Sequence, residues 1–386
     1  MPSSAPTAMG LNIPLLDRLR AADGDYVPLR ELGPDLERVR FDLDALLSFG
    51  FGIEQHPYLG AAYVGPAQRL CPDQIEHGLL TGGIGRRIAV WNRVTSTNDL
   101  AMRAGTSSSN DGLVIFAEEQ TAGRGRRGRS WMAPPFSSIL MSVVLFPPAH
   151  PACALPEAGY GRPWLTALGA VAAAEVVTAW TGRHATIKWP NDVRIGGRKI
   201  AGILVERAFA PGRPGTASPA RGPAAAEWGA VIGIGLNVNL NRDDLPAELI
   251  SIATSLEIEG CGSPIDRSEV ARHLIRRLDH WYQASRCNGV EVLNLPWRTR
   301  SEHLGRFVRI TTSAGAMSGR LVEIDLRTGL TMSVADDAPR TSSEQGMPQL
   351  VRLSMGDVLT LEEVSIGLSE HDPSDVGGVG VTMPAS

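Results

Sequence analysis

The run GRGRRGRSW at residues 123–131 sets four arginines (Arg124, Arg126, Arg127 and Arg129) among three glycines and closes on Trp131. Arginine forks grip phosphate oxygens bidentately and keep their charge. Glycines let a backbone pass close to a ligand, and Trp131 offers a flat face to a base or an apolar ring. Phosphate plus a stacking surface suggests a nucleotide. The chain lacks G-x-x-x-x-G-K-[ST], so the loop is not a P-loop. A nucleic-acid-binding tail and a solvated basic loop are the other readings of the run taken alone.

Three further stretches carry polar chemistry. Ser96-Thr97-Asn98-Asp99 reads first as a helix N-cap, with Ser96 and Asp99 at capping-box spacing. Its hydroxyls and amide would equally suit a polar ligand group at a helix N-terminus. Lys188-Trp189-Pro190-Asn191-Asp192 is turn chemistry. Lys199 follows it and opens the apolar run 200–205, where a lysine either snorkels or has a chemical task. In GIGLNVN at 233–239 no third glycine and no helix complete a dinucleotide fingerprint. Its glycines indicate instead a close backbone neighbour or ligand.

Positioning these groups calls for strands on either side of the arginine loop. Apolar, β-branched patterning predicts strands at 88–94, 113–118, 138–146, 185–189, 193–195, 200–206 and 230–239. Helices are expected at 98–104, over the Ala-rich 164–180, and over the amphipathic 269–285. Upstream, helical patterning covers 13–19 and 29–32. A stripe of Leu36, Val39, Leu43, Leu46 and Leu47 marks a helix over 35–48, with Gly50 as its terminator. Residues 51–64 read as a hairpin turning at 57–60, and 65–85 as a connector. Beyond Trp297, short strands at 307–311, 319–324, 329–334, 350–353 and 358–361 suggest a small barrel. Residues 208–226 read as a flexible Pro/Ala/Gly-rich insertion, 336–348 as a mobile loop, and 366–386 as a disordered tail.

At 386 residues the chain has room for two or three domains. Its 43% hydrophobic and 20% charged composition is that of a globular protein, and its net charge of −4 argues against a general nucleic-acid or anionic-membrane binder. Cys71, Cys153, Cys261 and Cys287 form no C-x-x-C pair, so free thiols in a reducing compartment are expected. The N-terminus has neither a basic nor an apolar signal region. The apolar run 165–180 is interrupted by Glu175 and reads as too short to span a bilayer. A cytoplasmic protein without membrane contact is the expectation.

Taken in order, STN (96–98), EQTAGRGRRGRSW (119–131), KWPND (188–192), KIAGILVE (199–206) and GIGLNVN (233–239) resemble the biotin protein ligase family over about residues 85–300. The resemblance implies an α+β fold with a class II aminoacyl-tRNA-synthetase-like core: a mixed, mostly antiparallel sheet with helices on it. It implies a winged-helix-like unit at 1–70, a linker at 71–85, a catalytic domain at 86–298, an SH3-like β-barrel at 299–365 and a tail at 366–386. It implies ATP, Mg²⁺ and biotin, with biotinyl-5′-AMP formed first. Biotin then passes to a lysine of the biotin carboxyl carrier protein of acetyl-CoA carboxylase. A homodimer is left open, and the protein itself is expected to hold no metal.

By the same resemblance, Ser96, Thr97, Asn98 and Gln120 line the biotin pocket, Gly123 and Arg124 form part of its lid, and Gly202 and Gly233 leave room for the biotin rings. Arg126 and Lys199 face the reacting carboxylate and α-phosphate, and Asp192 positions Lys199 or Mg²⁺. Arg129 holds the triphosphate and Trp131 packs on the adenylate. Asn191 and Asn237 look like adenine-side contacts. Arg127 is left without a role, as a solvated side chain.

The N-terminal unit departs from a DNA reader. Residues 1–70 carry six arginines against nine acids, and 54–60 have neither Lys nor Arg. Phosphate neutralisation dominates DNA affinity, so a degenerate winged helix is favoured over a working biotin-responsive repressor domain. A lipoate or octanoate ligase or transferase relative is a third reading. The arginine loop and KWPND, which belong to the biotin branch, argue against it.

Overall fold

The structure, a computed structural model, describes residues 10–147, 163–209, 228–262, 264–334 and 349–364. The expected insertion from 210 on, the loop at 336–348 and the tail at 366–386 lie outside the described residues. The elements run α1 (Ile13–Ala21), α2 (Leu29–Leu32), α3 (Leu36–Phe49), β1 (Gly52–His56), β2 (Gly60–Gly65), α4 (Pro72–Glu76), β3 (Arg87–Val94), α5 (Thr97–Ala104), β4 (Leu113–Gln120), β5 (Ser138–Leu145), α6 (Pro163–Thr181), β6 (Thr186–Lys188), β7 (Asp192–Ile195), β8 (Arg198–Phe209) and β9 (Trp228–Asn237). They continue with α7 (Arg267–Asn288), α8 (Asn294–Arg298), β10 (Phe307–Thr312), β11 (Gly315–Asp325), β12 (Gly329–Val334), β13 (Gln349–Leu353) and β14 (Val358–Glu363).

A seven-stranded sheet in the order β3-β4-β5-β9-β8-β7-β6 forms the centre. Only β3 and β4 run parallel; the other neighbours are antiparallel, the mixed pattern that was expected. Side chains alternate between the two faces of a strand, and here the alternation separates core from site. Phe116 of β4, Met141 of β5, Ile203 of β8 and Ile232 and Ile234 of β9 join one cluster with α6 and α7. The opposite parity carries Ile115, Val144 and Val231, which pack on Ala101 of α5. Further along that second face stand Ser142, Gly202, Gly233 and Gly235, where α5 no longer covers the sheet. A one-residue slip would turn these positions into the core, so the burial of the first face fixes the second.

Helix α6 corrects one expectation. Over its 19 residues it is long and apolar enough to cross a bilayer, contrary to the reading of 165–180 as too short. But 67% of its apolar window is buried inside the protein, and Gly169 lets it approach Ile203 and Ile232 on the sheet. It is a core helix.

The N-terminal elements have their own core, with Leu16, Leu19, Leu43 and Leu46 fully buried. Asp35 caps α3 by accepting from the Glu37 and Arg38 amides, and Gly50 closes it at φ +115°, as its sequence position predicts. The connector at 65–85 contains α4, which at five residues is too short for periodicity to reveal; α8 escaped for the same reason. The connector is tied along α7. The Cys71 amide donates to Ser268 Oγ at 2.9 Å, and the amides of Gly82, Gly83 and Ile84 all donate to the Asp279 carboxylate. Arg20 of α1 pairs with Asp266 and Glu269 at the start of α7.

Downstream, β10–β14 make a second, antiparallel sheet in the order β13-β12-β11-β10-β14. The five strands predicted after Trp297 are all present, several of them longer than the sequence pattern indicates.

Candidate active site

A cavity of about 270 Å³ opens on the second face of the central sheet. Its walls are the start of α5, the arginine loop, the 188–192 turn, strands β8 and β9, and residues 359–362 of β14. The structure therefore brings STN, Gln120, Arg124, Arg126, Arg129, Trp131, Asn191, Asp192, Lys199, Gly202 and Gly233 to one place, although they span 138 positions of sequence from Ser96 to Gly233. Gly123 and Asn237 stand just outside it.

One end is lined by uncharged hydroxyl and amide groups, with the Arg124 guanidinium paired to Asp99 and Glu206 beside them. Ser96, Thr97 and Asn98 are buried. The capping-box reading does not hold: the Ser96 side chain makes no cap bond, and Asp99 instead accepts from Thr95 Oγ1 at 3.1 Å and pairs with Arg124 at 2.7 Å. The hydroxyls and amides bond to one another. Gln120 Oε1 accepts from the Thr97 amide at 2.7 Å and from its hydroxyl at 3.1 Å. The Ser142 hydroxyl lies 2.8 Å from Thr97 Oγ1 and 2.5 Å from Asn98 Oδ1. Asn98 Nδ2 donates to Glu206 at 2.6 Å.

Gly233 corrects the expected role. A Cβ there would stand 2.3 Å from Asn98 Oδ1; the room it leaves is Asn98's seat rather than open space for a ligand ring. Gly202 likewise faces Trp131 and Lys199 at 3.0 and 3.1 Å from its would-be Cβ. Glu206 and Ser142 had been given no role. Both were detectable: Glu206 shares the strand parity of Gly202, and Ser142 is a hydroxyl inside the buried strand SILMSVVL.

The other end is cationic. Lys199 Nζ pairs with Asp192 at 2.7 Å. Its backbone is clamped by bonds to the Ile252 carbonyl at 2.7 Å and the Thr254 amide at 2.8 Å. Arg126 reaches Asn191 Oδ1 only at 3.5 Å. Although its side chain reaches solvent at the rim, partial burial first, and the charge of Arg127 second, lower the Arg126 pKa, with Asp192 opposing. A guanidinium disfavoured by desolvation and a like charge is one that an anion would stabilise. Arg129 stands exposed at the rim, its carbonyl bound by the Gly125 amide at 2.6 Å.

Several expectations need correction here. Asn191 commits its amide donor to the Ile203 carbonyl at 2.8 Å, and Asn237 commits its own to the Thr254 carbonyl at 2.9 Å. Both brace the walls behind Lys199 rather than offering donors to a base. Gly123 permits loop closure: a Cβ would lie 2.4 Å from the Trp131 carbonyl, whose residue's amide donates back to Gly123 at 2.9 Å. Arg127 is exposed, as expected, and in addition donates to the Leu359 carbonyl of β14 from a backbone at φ +56°. The arginine loop is thus fastened to the C-terminal sheet, whose place at the site was not readable from its diverged sequence.

Trp131 forms part of the cavity floor. A Cβ on Gly235 would lie 2.4 Å from the indole, and Lys199 Nζ sits 5.3 Å from its ring centroid. Its Nε1 is buried without an acceptor among the described residues, which leaves a donor for a ligand oxygen. With the indole seated, the cavity's 270 Å³ falls below the ~300–1,000 Å³ of ligand clefts. Among the described residues no group of three or more His, Cys, Asp or Glu could hold a metal ion.

One cavity thus joins a hydrogen-bonding, neutral end to an end of fixed positive charge. Such a site can bring a carboxylate against a phosphate without a protein nucleophile, since its contribution is to neutralise charge as it gathers.

Comparison with known proteins gives a consistent picture. The model of a family described as the Biotin/lipoate A/B protein ligase family matches residues 90–214. Over 283 residues the chain is 31% identical to the Bifunctional ligase/repressor BirA of Bacillus spizizenii, covering 73% of this chain and 80% of that one. It is 33% identical over 246 residues to the Biotin--[acetyl-CoA-carboxylase] ligase of Mycobacterium tuberculosis, covering 61% and 79%. Among solved structures, the biotin protein ligase from Aquifex aeolicus in complex with biotin and ATP aligns with a TM-score of 0.54 at 22% identity, over 72% of this chain and all of that one. That last likeness is one of fold.

Proposed function

The chain belongs to the biotin protein ligase family, and on that premise we propose how its cavity performs the ligation. The protein is a ligase that attaches biotin to protein at the expense of ATP. In the first step an oxygen of the biotin carboxylate attacks the α-phosphorus of ATP. The bond to the β-phosphate oxygen breaks, leaving biotinyl-5′-AMP and pyrophosphate. In the second, a lysine amine of a biotin carboxyl carrier protein attacks the acyl carbon and AMP departs, with the amine proton lost to solvent.

The division of one cavity into a neutral and a cationic end carries this reading. Ser96, Thr97, Asn98 and Gln120 receive the biotin ring, whose ureido group needs both donors and acceptors, and Arg124 with Gly123 forms its lid. Lys199 and Arg126 meet the carboxylate and the α-phosphate, and Arg129 takes the outer phosphates. Asp192, 2.7 Å from Lys199, aims the ammonium. Trp131 offers its ring to the adenylate. Mg²⁺ bound to the nucleotide would add positive charge on the leaving pyrophosphate. Such an ion comes mostly hydrated and on phosphates rather than in protein cages; the second oxygen of Asp192, whose first pairs with Lys199, would be the protein's contribution to holding it. The test is incubation with biotin, labelled ATP and a biotin acceptor domain, which should give a biotin-dependent adenylate and then transfer.

The domain reading is a winged-helix-like unit at 1–70, a linker at 71–85, the catalytic domain at 86–298 and an SH3-like barrel at 299–365. The three helices and hairpin at one end and the five-stranded sheet at the other support it. A cytoplasmic location completes the proposal, with a homodimer left open. The repressor reading draws support from the ligase/repressor relative, but the charges favour a degenerate unit. Arg20 is engaged by Asp266 and Glu269, Arg38 by Asp42, and Arg18 by the Leu32 carbonyl. Leu36, Phe41 and Leu47 of α3 are exposed. In a mobility-shift assay on its own promoter DNA with biotin and ATP, no salt-sensitive complex is expected; a steeply salt-dependent one would establish the repressor.

A further inference from the structure

Behind the polar end of the cavity, bonded to Asn98 and Arg124, stands a carboxylate that the proposed chemistry leaves unused. Glu206 lies on β8, two positions beyond Leu204 and four beyond Gly202, all on the site face. Strand register puts Ser142 of β5, Gly233 of β9 and Leu204 in one row, and Val231 and Glu206 in the next. Asn98 is held at the junction of these rows from three directions. It sits on Gly233, where any side chain would collide with it. Its Oδ1 meets Ser142 Oγ at 2.5 Å, and its Nδ2 meets Glu206 Oε2 at 2.6 Å.

A carboxylate accepts and does not donate. Glu206 therefore dictates which way the Asn98 amide faces, and Asn98 in turn fixes Oδ1 toward Ser142. Ser142 adjoins Thr97, and Thr97 saturates Gln120 Oε1 with two donors. The Gln120 amide must then present its NH₂ side elsewhere. Glu206 also draws Arg124 over this end, at 3.3 Å, together with Asp99 at 2.7 Å on the same guanidinium. A ring with N–H and C=O groups distinguishes itself from a plain acyl chain only if the donors and acceptors around it cannot rotate to suit either.

We infer that Glu206 is a positioning residue for substrate selection: through Asn98 and Arg124 it locks the hydrogen-bond polarity of the cavity's neutral end, and so favours a ureido ring over an unadorned acyl chain. The inference rests on the reading of that end as the biotin subsite. Glu206 touches neither reacting atom and has no part in the phosphate chemistry.

The experiment compares the parent with Glu206→Gln, Asn98→Ala and the double variant, measuring kcat and KM for biotin and for ATP. Removing one charged acceptor from a bonded network is expected to raise the biotin KM roughly tenfold, with kcat and the ATP KM within about twofold. The double variant should be no worse than the poorer single, because the two residues act as one unit. Octanoate, a competitor without a ring, should inhibit Glu206→Gln relatively better than the parent. If Glu206→Gln does not fold, Glu206→Asp, which withdraws the carboxylate by one methylene, serves with the same expectation. An unchanged biotin KM overturns the inference. So does a parallel fall in kcat and in both affinities, which a merely structural role would give. A parent that turns over no biotin overturns instead the ligase reading on which the inference stands.

Discussion

Lys199→Ala is expected to lose adenylation by roughly 10²–10³-fold while still binding biotin, the cost of removing one preorganised donor from developing charge being about 2.7–4 kcal/mol. The ammonium is aimed by Asp192 at 2.7 Å. The strand beneath it is held by backbone bonds to Ile252 and Thr254 that alanine keeps. The defect should therefore be chemical, and thermal unfolding should change little. Single-turnover formation of biotinyl-5′-AMP, beside a calorimetric biotin titration, separates the two steps. Adenylation near the parental rate would remove Lys199 from its role and leave Arg126, already short of counter-charge, as the principal cation.

Arg267→Ala is expected to be the most damaging substitution remote from the cavity. Arg267 and Glu118 are both 2% exposed and paired at 2.6 Å. The same guanidinium donates to the carbonyls of Ser138 at 3.0 Å and Gln68 at 2.5 Å. It thereby joins α7, β4, β5 and the connector from the N-terminal unit. Burial lowers its pKa, and Glu118 is the chief opposing influence. Truncation would leave the Glu118 carboxylate buried beside two unsatisfied carbonyls, a loss of about 3–5 kcal/mol. The denaturant midpoint of the catalytic domain should fall accordingly. Arg267→Met with Glu118→Gln should recover part of the loss, since the glutamine keeps an acceptor for the Leu70 amide, now 2.5 Å from Glu118. A single variant within about 1 kcal/mol of the parent would contradict the account of this pair as a junction.

What the sequence revealed and what it concealed follow from the range of the interactions. Strand patterning is local, so the apolar runs of β5, β8 and β9 and the glycines at 233 and 235 were legible as strands with close neighbours, while the face each glycine takes follows from the register of the sheet. Gly50 announced the end of α3 by chemistry confined to one turn, whereas Asp35, read as the first helical residue, is its N-cap. The gathering of STN, the arginine loop and Lys199 was legible through order and residue type. Contacts that join distant segments left no such trace. Arg267 opens an amphipathic helix, where an arginine ordinarily points to water; only the packing of four segments buries it. Arg127 looked dispensable because its partner, the Leu359 carbonyl, is a backbone atom 232 residues away. Asn191 and Asn237 have side chains suited to a base, but each satisfies a neighbouring carbonyl that sequence cannot reveal. Trp131 lines the cavity, and its seat on Gly235 depends on how the loop folds back across β9.

The central claim is that one cavity activates biotin with ATP and passes it to protein. Its most direct test is to incubate the full chain with ATP and a biotin acceptor domain, adding biotin, lipoate or octanoate in separate reactions, and to measure AMP release together with the mass of the acceptor. The account predicts AMP and pyrophosphate only with biotin, and one biotinyl group on one acceptor lysine for each AMP released. Release of AMP with lipoate or octanoate but not with biotin, or an unmodified acceptor with biotin present, would contradict it.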